Sequence, residues 1–264
     1  MLYPIFESQI LPKSGVQIKL KNENIQIFRF EHHWECYHVE RLANEPLPSS
    51  PTFSLIEERP QQWLKCHRWV SGEQESTFRC YARMPESNFI VFPSEPIMVP
   101  RDRKPKLYAS IPLLLWVQIG TSKIPLWTGF FEPVKQTWFG KNTRAGELAL
   151  TLPDTLVVTE SELPPPASAH FRAWMELRVS NRDAEPLRIE RLSLPAHYFP
   201  VYQLDNECFW TYPLGLSKER LLDELRVNHG KEITQRHEHK KLVGEAHSKL
   251  EVRTIMRALE AIIG

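Results

Sequence analysis

Histidine and cysteine side chains cluster in two short segments of the N-terminal third of the chain. The cluster comprises His32, His33, Cys36 and His38, and later Cys66 and His67. If the two segments form neighbouring strands, Cys36 and His38 share one face, where Cys66 could complete a nitrogen and sulfur ligand set suited to zinc. The spacing lacks the two-residue knuckle of zinc sites, and a free cysteine is commonly a small buried side chain. We therefore expect neither a metal nor a cofactor.

Basic and aromatic residues in the next segments could instead bind a ligand. The candidate ligand-binding residues here are Arg68, Arg79, Tyr81 and Arg83, with Lys65 and Trp69 beside them. A sheet face of this composition can bind single-stranded nucleic acid, because bases stack on the rings and the cations neutralise phosphates. Several glutamates lie close by, and the net charge of the chain is only +1. Nucleic-acid binding is therefore an alternative interpretation and not the favoured one.

A proline-rich segment supplies one further candidate, Glu95. The segment reads Phe92-Pro93-Ser94-Glu95-Pro96-Ile97-Met98-Val99-Pro100. Each proline restricts the residue before it to extended geometry and removes a backbone donor, which predicts an edge strand or a crossover between sheets. We expect Glu95 to accept backbone hydrogen bonds that fix this crossover, with ligand binding as the alternative role.

This proline-rich segment resembles the family catalogued as domain of unknown function 432, in which a Pro-x-Glu-Pro-x-x-x-Pro segment precedes strands and an aromatic-glycine segment. The second segment corresponds here to Trp138-Phe139-Gly140, followed by Gly146-Glu147-Leu148 and Pro153. The resemblance extends over about residues 88–194. The family has no established reaction, so the resemblance assigns no catalytic residues. It implies an association with small-conductance mechanosensitive channels.

Motifs of the common enzyme classes do not occur in the sequence. The glycines form neither a G-x-G-x-x-G fingerprint nor a Walker A loop, and there is no G-x-S-x-G or H-E-x-x-H segment. These absences argue against nucleotide hydrolysis, dinucleotide oxidoreduction, α/β-hydrolase chemistry and zincin proteolysis. An enzyme whose active site has no recognisable signature stays open as an alternative.

The composition is that of a globular protein with two unlike parts. The chain has 264 residues, of which 42% are hydrophobic and 25% charged, so a disordered or fibrous chain is excluded. Every aromatic residue lies at or before Tyr212, whereas 18 of the 48 residues from Ser217 to Gly264 are charged. This change predicts a β-rich body over residues 1–213, with a candidate subdivision near 100–106, and a charged helical tail over 214–264.

Apolar and polar residues that alternate with a period of two predict which side of each strand in the body faces the core. Phe171, Ala173, Met175, Leu177 and Val179 alternate with polar or aromatic residues, as in a strand buried on one face only. Such strands at short intervals predict an antiparallel β-sandwich, formed either as one unit or as two sandwich-like halves. After Ile189 the apolar phase slips by one residue, which predicts a β-bulge at 190–191.

The tail contains the clearest helical pattern in the chain. Ser248-Lys249-Leu250-Glu251 is a capping box, and an apolar stripe at helical spacing follows it: Val252, Ile255, Met256, Leu259, Ile262 and Ile263. A second, shorter helix is predicted over about residues 218–226. Because so short a helix is marginal alone, we expect the stripe to be an interface with a protein partner or with a second copy in a homodimer.

The remaining signals concern location and function. No run of about 20 apolar residues predicts a transmembrane segment, and the N-terminus lacks the pattern of a secretory signal. The four cysteines show no paired spacing, so we expect free thiols and a cytoplasmic protein. The favoured function is a soluble binding or regulatory protein that acts through protein–protein contacts.

Overall fold

A computed structural model describes residues 1–42, 44–70, 76–142, 145–159, 171–204, 207–218, 225–229 and 240–248. Within these ranges the chain is mainly β. In chain order the strands are β1 (Phe6–Gln9), β2 (Ser14–Lys19), β3 (Glu23–Arg29), β4 (His33–Glu40), β5 (Thr52–Ile56), β6 (Lys65–Val70), β7 (Thr77–Arg83), β8 (Phe89–Pro93), β9 (Ile97–Val99), β10 (Lys106–Pro112), β11 (Leu114–Ile119), β12 (Trp127–Phe130), β13 (Lys135–Asn142), β14 (Ala145–Thr159), β15 (Arg172–Asn181), β16 (Leu187–Ile189), β17 (Leu192–Leu194), β18 (Val201–Leu204), β19 (Phe209–Trp210), β20 (Leu214–Lys218), β21 (Leu225–His229) and β22 (Lys240–Gly244).

The chain folds into two compact units. We call Tyr3–Arg83 together with Leu113–Pro133 the N-terminal unit, and Met1–Leu2, Met84–Pro112 and Val134–Gly264 the C-terminal unit. The chain thus enters the C-terminal unit after Arg83, returns to the N-terminal unit after Pro112 and leaves it again after Pro133.

Two antiparallel sheets form the N-terminal unit. One has five strands in the order β5-β2-β3-β4-β6, and the other has four in the order β1-β7-β11-β12. Period-two alternation places one face of the five-stranded sheet in the core, because Val16, Ile18, Ile25 and Ile27 are all fully buried. The two sheets meet where Phe6 of β1 stacks on Phe53 of β5, with ring centroids 4.7 Å apart.

An eleven-stranded sheet dominates the C-terminal unit, and a two-stranded sheet of β9 and β16 accompanies it. Most neighbours in the large sheet are antiparallel, but β8 pairs with β14, and β19 and β20 pair with β15, in parallel. The strand β15 is central, and its predicted polar face is buried only in part: Trp174 is 5% and Glu176 3% exposed, whereas Arg178 is exposed. The alternation thus predicted the buried face, while the opposite face is covered at Trp174 and Glu176 and open at Arg178.

The predicted helix over 218–226 is wrong where the structure describes it. Lys218 ends β20 and Leu225 begins β21, and the two strands pair antiparallel, with Lys218 opposite Leu225. In β20 the buried Leu214 and Leu216 alternate with Gly215 and Ser217, which is a strand pattern. Pairing with the edge of β15 therefore outweighs the local helical propensity of this segment.

The rest of the predicted tail divides into strand and segments outside the described residues. Lys240–Gly244 forms β22, which pairs with β18, so the residues from 214 onward are not a uniformly helical tail. Within the described ranges the one helical segment is a 3-10 helix at Ala196–Tyr198. The apolar stripe lies outside the described residues and stays a prediction.

Membrane-spanning helices are not found among the residues that the structure describes.

Candidate functional site

The strand pair β4 and β6 forms one end of the five-stranded sheet. The register places Glu35 opposite Arg68 and Tyr37 opposite Cys66. Opposite residues of antiparallel strands share a face, so these four side chains lie together on the face that points away from Cys36 and Trp34. The buried aliphatic residues of β2 and β3, Val16, Ile18, Ile25 and Ile27, lie on the opposite face, with Cys36.

Glu35 is the buried centre of this polar cluster. It is 4% exposed, and it accepts hydrogen bonds from Nε and Nη2 of Arg68 at 2.8 and 2.6 Å. The hydroxyl of Tyr37 also donates to its carboxylate, and Nε2 of His33 lies 3.3 Å from it. Burial acts to raise the pKa of Glu35, but the hydrogen bonds from Tyr37 and Arg68 outweigh burial and hold its pKa below the usual value.

The thiol and phenol groups near this cluster are held in their neutral forms. Burial raises the pKa of Cys36 to about 12, and burial with the hydrogen bond to Glu35 raises the pKa of Tyr37. Burial also raises the pKa of Cys66, although its side chain is exposed. A low thiolate fraction makes the buried Cys36 a poor nucleophile at neutral pH, whereas Cys66 is accessible to a reagent.

The edge strand β6 is exposed along its whole length. All six of its residues are exposed, and within the described residues it pairs with β4 alone. Large apolar side chains lie on it and just before it: Trp63, Leu64, Trp69 and Val70 are 45%, 71%, 41% and 88% exposed. An apolar edge strand with unpaired backbone groups is the kind of surface on which another chain can add a strand.

A cavity of about 630 Å³ opens beside the same end of the sheet. Its lining comes from the ends of β2, β3 and β4, from the segment after β4 and from the segment before β6: Gln17, Asn24, Val39, Glu40, Arg41, Leu42, Glu45, Gln62, Trp63 and Leu64. The volume falls within the range of about 300–1,000 Å³ that small-molecule sites occupy.

Arg41 fixes the segment that closes one side of the cavity. Its Nη1 donates to the carbonyl of Lys21 at 2.6 Å and its Nη2 donates to the carbonyl of Glu45 at 2.5 Å. The Glu45 carboxylate has two looser cationic neighbours, Nε of Arg41 at 3.6 Å and Nζ of Lys19 at 3.8 Å. The carboxylate is therefore held in place and retains lone pairs for a further donor.

Asn24 carries a polar atom without a partner on the same cavity wall. The residue is 5% exposed, and its Nδ2 lies 3.5 Å from Oε2 of Glu45. Its Oδ1 is buried and accepts no hydrogen bond. Leaving a buried acceptor unsatisfied costs about 1–3 kcal/mol, so this atom calls for a physical explanation.

The basic and aromatic candidates from the sequence divide between two sheets. Arg68 lies on β6, in the cluster around Glu35. Arg79, Tyr81 and Arg83 share one face of β7 in the four-stranded sheet, as their spacing predicts. There Arg79 is paired with Glu7 at 2.8 Å, and the guanidinium of Arg83 lies 4.3 Å from the ring centroid of Trp116.

Glu95 lies in the other unit, exposed in the bend between β8 and β9. Since β8 belongs to the large sheet and β9 to the two-stranded sheet, the prolines do mark a crossover between sheets, as expected. Glu95 thus belongs to a different unit from the residues of β6 and β7.

The histidine and cysteine segments do form neighbouring strands, but their side chains are divided between the two faces. Cys36 lies opposite His67, whereas Cys66 lies opposite Tyr37 on the other face. Nδ1 of His38 contacts Oε2 of Glu23 at 3.0 Å. Within the described part of the chain, no group of three or more such side chains has the geometry of a metal site.

Sequence reasoning missed Glu35, Tyr37, Asn24 and Glu45. The alternation in β4 contained a signal, because Glu35 stands between apolar neighbours on a strand and is followed two residues later by Tyr37. The roles of Asn24 and Glu45 depend on the β2–β3–β4 register and on the loop after β4, which a single sequence does not reveal.

Comparison with known proteins gives one match. The family described as "Protein of unknown function (DUF432)" matches residues 5–258, well beyond the stretch on which the sequence resemblance rests. No curated protein and no solved structure shows a significant similarity to the chain.

Proposed function

We propose that the chain, which belongs to the DUF432 family of proteins of unknown function, is a non-enzymatic binding protein that acts through protein–protein contacts. The single observation that carries this proposal is the exposure of the whole of β6 together with the large apolar side chains around it. Natural proteins protect edge strands that have no partner, so an edge left apolar and open is expected to be covered in use.

The contact we propose is the addition of an extended partner segment along β6. Alternate backbone N–H and C=O groups of an edge strand point away from the sheet, and a partner strand satisfies them in a regular ladder. Side chains of the partner would pack against Trp69 and Val70, which supply most of the apolar surface that binding removes from water. Lys65 and Arg68 on the same strand favour a partner segment with acidic residues.

The Glu35 cluster keeps β6 ordered before a partner strand binds. The carboxylate of Glu35 ties Arg68 of β6 to β4 through two hydrogen bonds, and Tyr37 supports the carboxylate from the same strand. A strand that is already ordered loses less conformational entropy when a partner binds, which favours association.

The remaining expectations about partners belong to the same proposal. The apolar stripe from Val252 to Ile263 is proposed as a second contact, either with the partner or with another copy of the chain. A cytoplasmic location, an association with a mechanosensitive channel and the sandwich packing of the sheets are proposed on the sequence and the family resemblance alone.

Site-specific photo-crosslinking tests the proposal. A photoreactive phenylalanine analogue is placed at Val70 of β6 and, as a matched control, at Leu55 of β5, which is 64% exposed on the opposite edge of the same sheet. In the cells from which the protein comes, we expect the position 70 variant to form a covalent adduct with one defined protein, and the position 55 variant to form none. Adducts at neither position, or equally at both, would contradict a specific role of β6.

A further inference from the structure

The cavity beside β4 has a polar wall, formed by Gln17, Asn24 and Glu45, that the proposed contacts along β6 do not use. Its volume is about 630 Å³, and the Arg41 guanidinium holds its lining by donating to the main-chain carbonyls of Lys21 and Glu45. A preformed concave site with a few convergent polar groups is the usual form of a small-molecule site.

The hydrogen-bonding groups of the walls define what a ligand must offer. The partly exposed Glu45 carboxylate has loose neighbours, Nδ2 of Asn24 at 3.5 Å, Nε of Arg41 at 3.6 Å and Nζ of Lys19 at 3.8 Å, so it keeps lone pairs for a donor from a ligand. The amides of Gln17 and Gln62 can donate as well as accept, so the ligand must carry acceptors too. Hydroxyl groups meet both demands.

The charges around the cavity favour a ligand without net charge. The acidic lining residues are Glu40 and Glu45, and the basic residues are Arg41 in the lining and Lys19 beside Glu45. These charges balance, so the cavity has no excess of either sign with which to select a cation or an anion.

Trp63 provides an apolar surface on the remaining wall. Its ring meets Tyr37 edge-on, with centroids 5.2 Å apart, and the side chain stays 45% exposed. The contact with Tyr37 orients the indole, and an oriented aromatic face next to hydrogen-bonding groups suits a molecule with one apolar C–H face and polar edges.

We propose that this cavity binds a small neutral ligand rich in hydroxyl groups, of the size of a mono- or disaccharide. Glu45 accepts hydrogen bonds from the ligand hydroxyls, Gln17 and Gln62 donate to them, and Trp63 packs against the C–H face.

Isothermal titration calorimetry on the full chain tests this assignment with named probes. The neutral probes are glucose, N-acetylglucosamine, maltose and myo-inositol, and the charged probes are spermidine and citrate, all at millimolar concentration. We expect saturable binding of at least one neutral probe. No binding of any neutral probe, or binding of a charged probe only, would overturn the proposal.

Variants locate the binding and separate it from folding. Glu45→Ala should weaken binding at least about tenfold and change the melting temperature little, because the ion pairs of Glu45 are long and partly exposed. Trp63→Ala should weaken binding comparably. Glu31→Ala, at an exposed position outside the lining, is the matched control and should bind like the unaltered chain. Binding that survives both Glu45→Ala and Trp63→Ala would place the ligand elsewhere and overturn the assignment.

Discussion

The two edges of the five-stranded sheet are built in opposite ways. At one edge Phe53 of β5 stacks on Phe6 of the second sheet, with the ring planes 8° apart, and Phe6 in turn meets Phe78 edge-on at 5.9 Å. At the other edge all six residues of β6 are exposed, whereas Phe53 and Ile56 of β5 are half-buried. The edge at β5 is thus joined to the core by aromatic packing, whereas β6 is held by its ladder to β4 and by the Arg68–Glu35 pair.

This difference shows how one sheet can serve both stability and recognition. Burial of aromatic surface contributes to the free energy of unfolding in proportion to the area removed from water, so β5 stabilises the unit. An exposed edge contributes little to stability and leaves its apolar side chains and backbone groups for another molecule. The predictions below test this division.

Truncation of the packed edge should have the largest effect. Phe53→Ala removes the stack on Phe6 and should lower the free energy of unfolding by about 2 kcal/mol, which is below the cost at a fully buried site because Phe53 is half-buried. Trp69→Ala on β6 is the control and should lower it by less than about 1 kcal/mol, although it removes a larger ring. Urea denaturation measures both; equal losses would remove the distinction between the edges.

Loss of the Arg68–Glu35 pair, which holds β6 to β4, should lower the free energy of unfolding by less than Phe53→Ala does. Arg68→Ala removes two hydrogen bonds to the Glu35 carboxylate and should cost about 1 kcal/mol at neutral pH, because the Arg68 side chain is 66% exposed and solvent screens part of the interaction. Arg101→Ala is a suitable control, since among the described residues Arg101 pairs with an exposed aspartate, Asp102. A loss no greater than that of the control would mean that the pair does not secure the edge.

The pH dependence of stability should report the same cluster. Because the pKa of Glu35 is lower in the folded chain than in the unfolded chain, the unfolded chain binds the proton first as the pH falls. The contribution of Glu35 is therefore present above about pH 4.5 and is lost as the pH falls through the folded-state pKa. Urea denaturation across this range should show a shallower pH dependence in Glu35→Gln, and an unchanged slope would contradict the assignment.

The rate of thiol labelling should distinguish the exposed cysteine of β6 from the buried cysteines of the core. Cys66 on β6 is exposed, whereas Cys36, Cys80 and Cys208 are buried, and all four are free thiols. We expect one thiol to react with a neutral maleimide in the folded protein and four to react in denaturant. Peptide mapping should identify the fast site as Cys66; protection of Cys66, or equally fast labelling of Cys36, would show that β6 is not the open edge.

Period-two patterns predicted the β-rich body because side chains on a strand alternate between its two faces. Val16 and Ile18 lie in the core as their spacing indicates. The β-bulge predicted at 190–191 was wrong: the chain there passes from β16 to β17, which pair with strands of different sheets. The helix predicted over 218–226 was wrong for a physical reason. Its helical propensity is local, whereas the β20–β21 hairpin draws its stability from pairing with β15, which is distant in sequence.

The candidate site was much less predictable than the fold. Arg68 was identified from its type, but its partner Glu35 was not, because their contact depends on the β4–β6 register. The cavity depends on three strand ends and two connecting segments, and the unsatisfied oxygen of Asn24 is visible only in three dimensions. Residue type can identify a candidate binding side chain, but strand register and loop geometry determine which residues it contacts.

Amide hydrogen exchange of β5 and β6 tests the central claim most directly. Exchange is compared between the free chain and the complex captured through position 70, with the amides of Lys65–Val70 and Thr52–Ile56 followed separately. If a partner strand adds to β6, exchange across Lys65–Val70 slows in the complex while that of Thr52–Ile56 does not change. Unchanged exchange in β6, or equal slowing at both edges, would contradict the account.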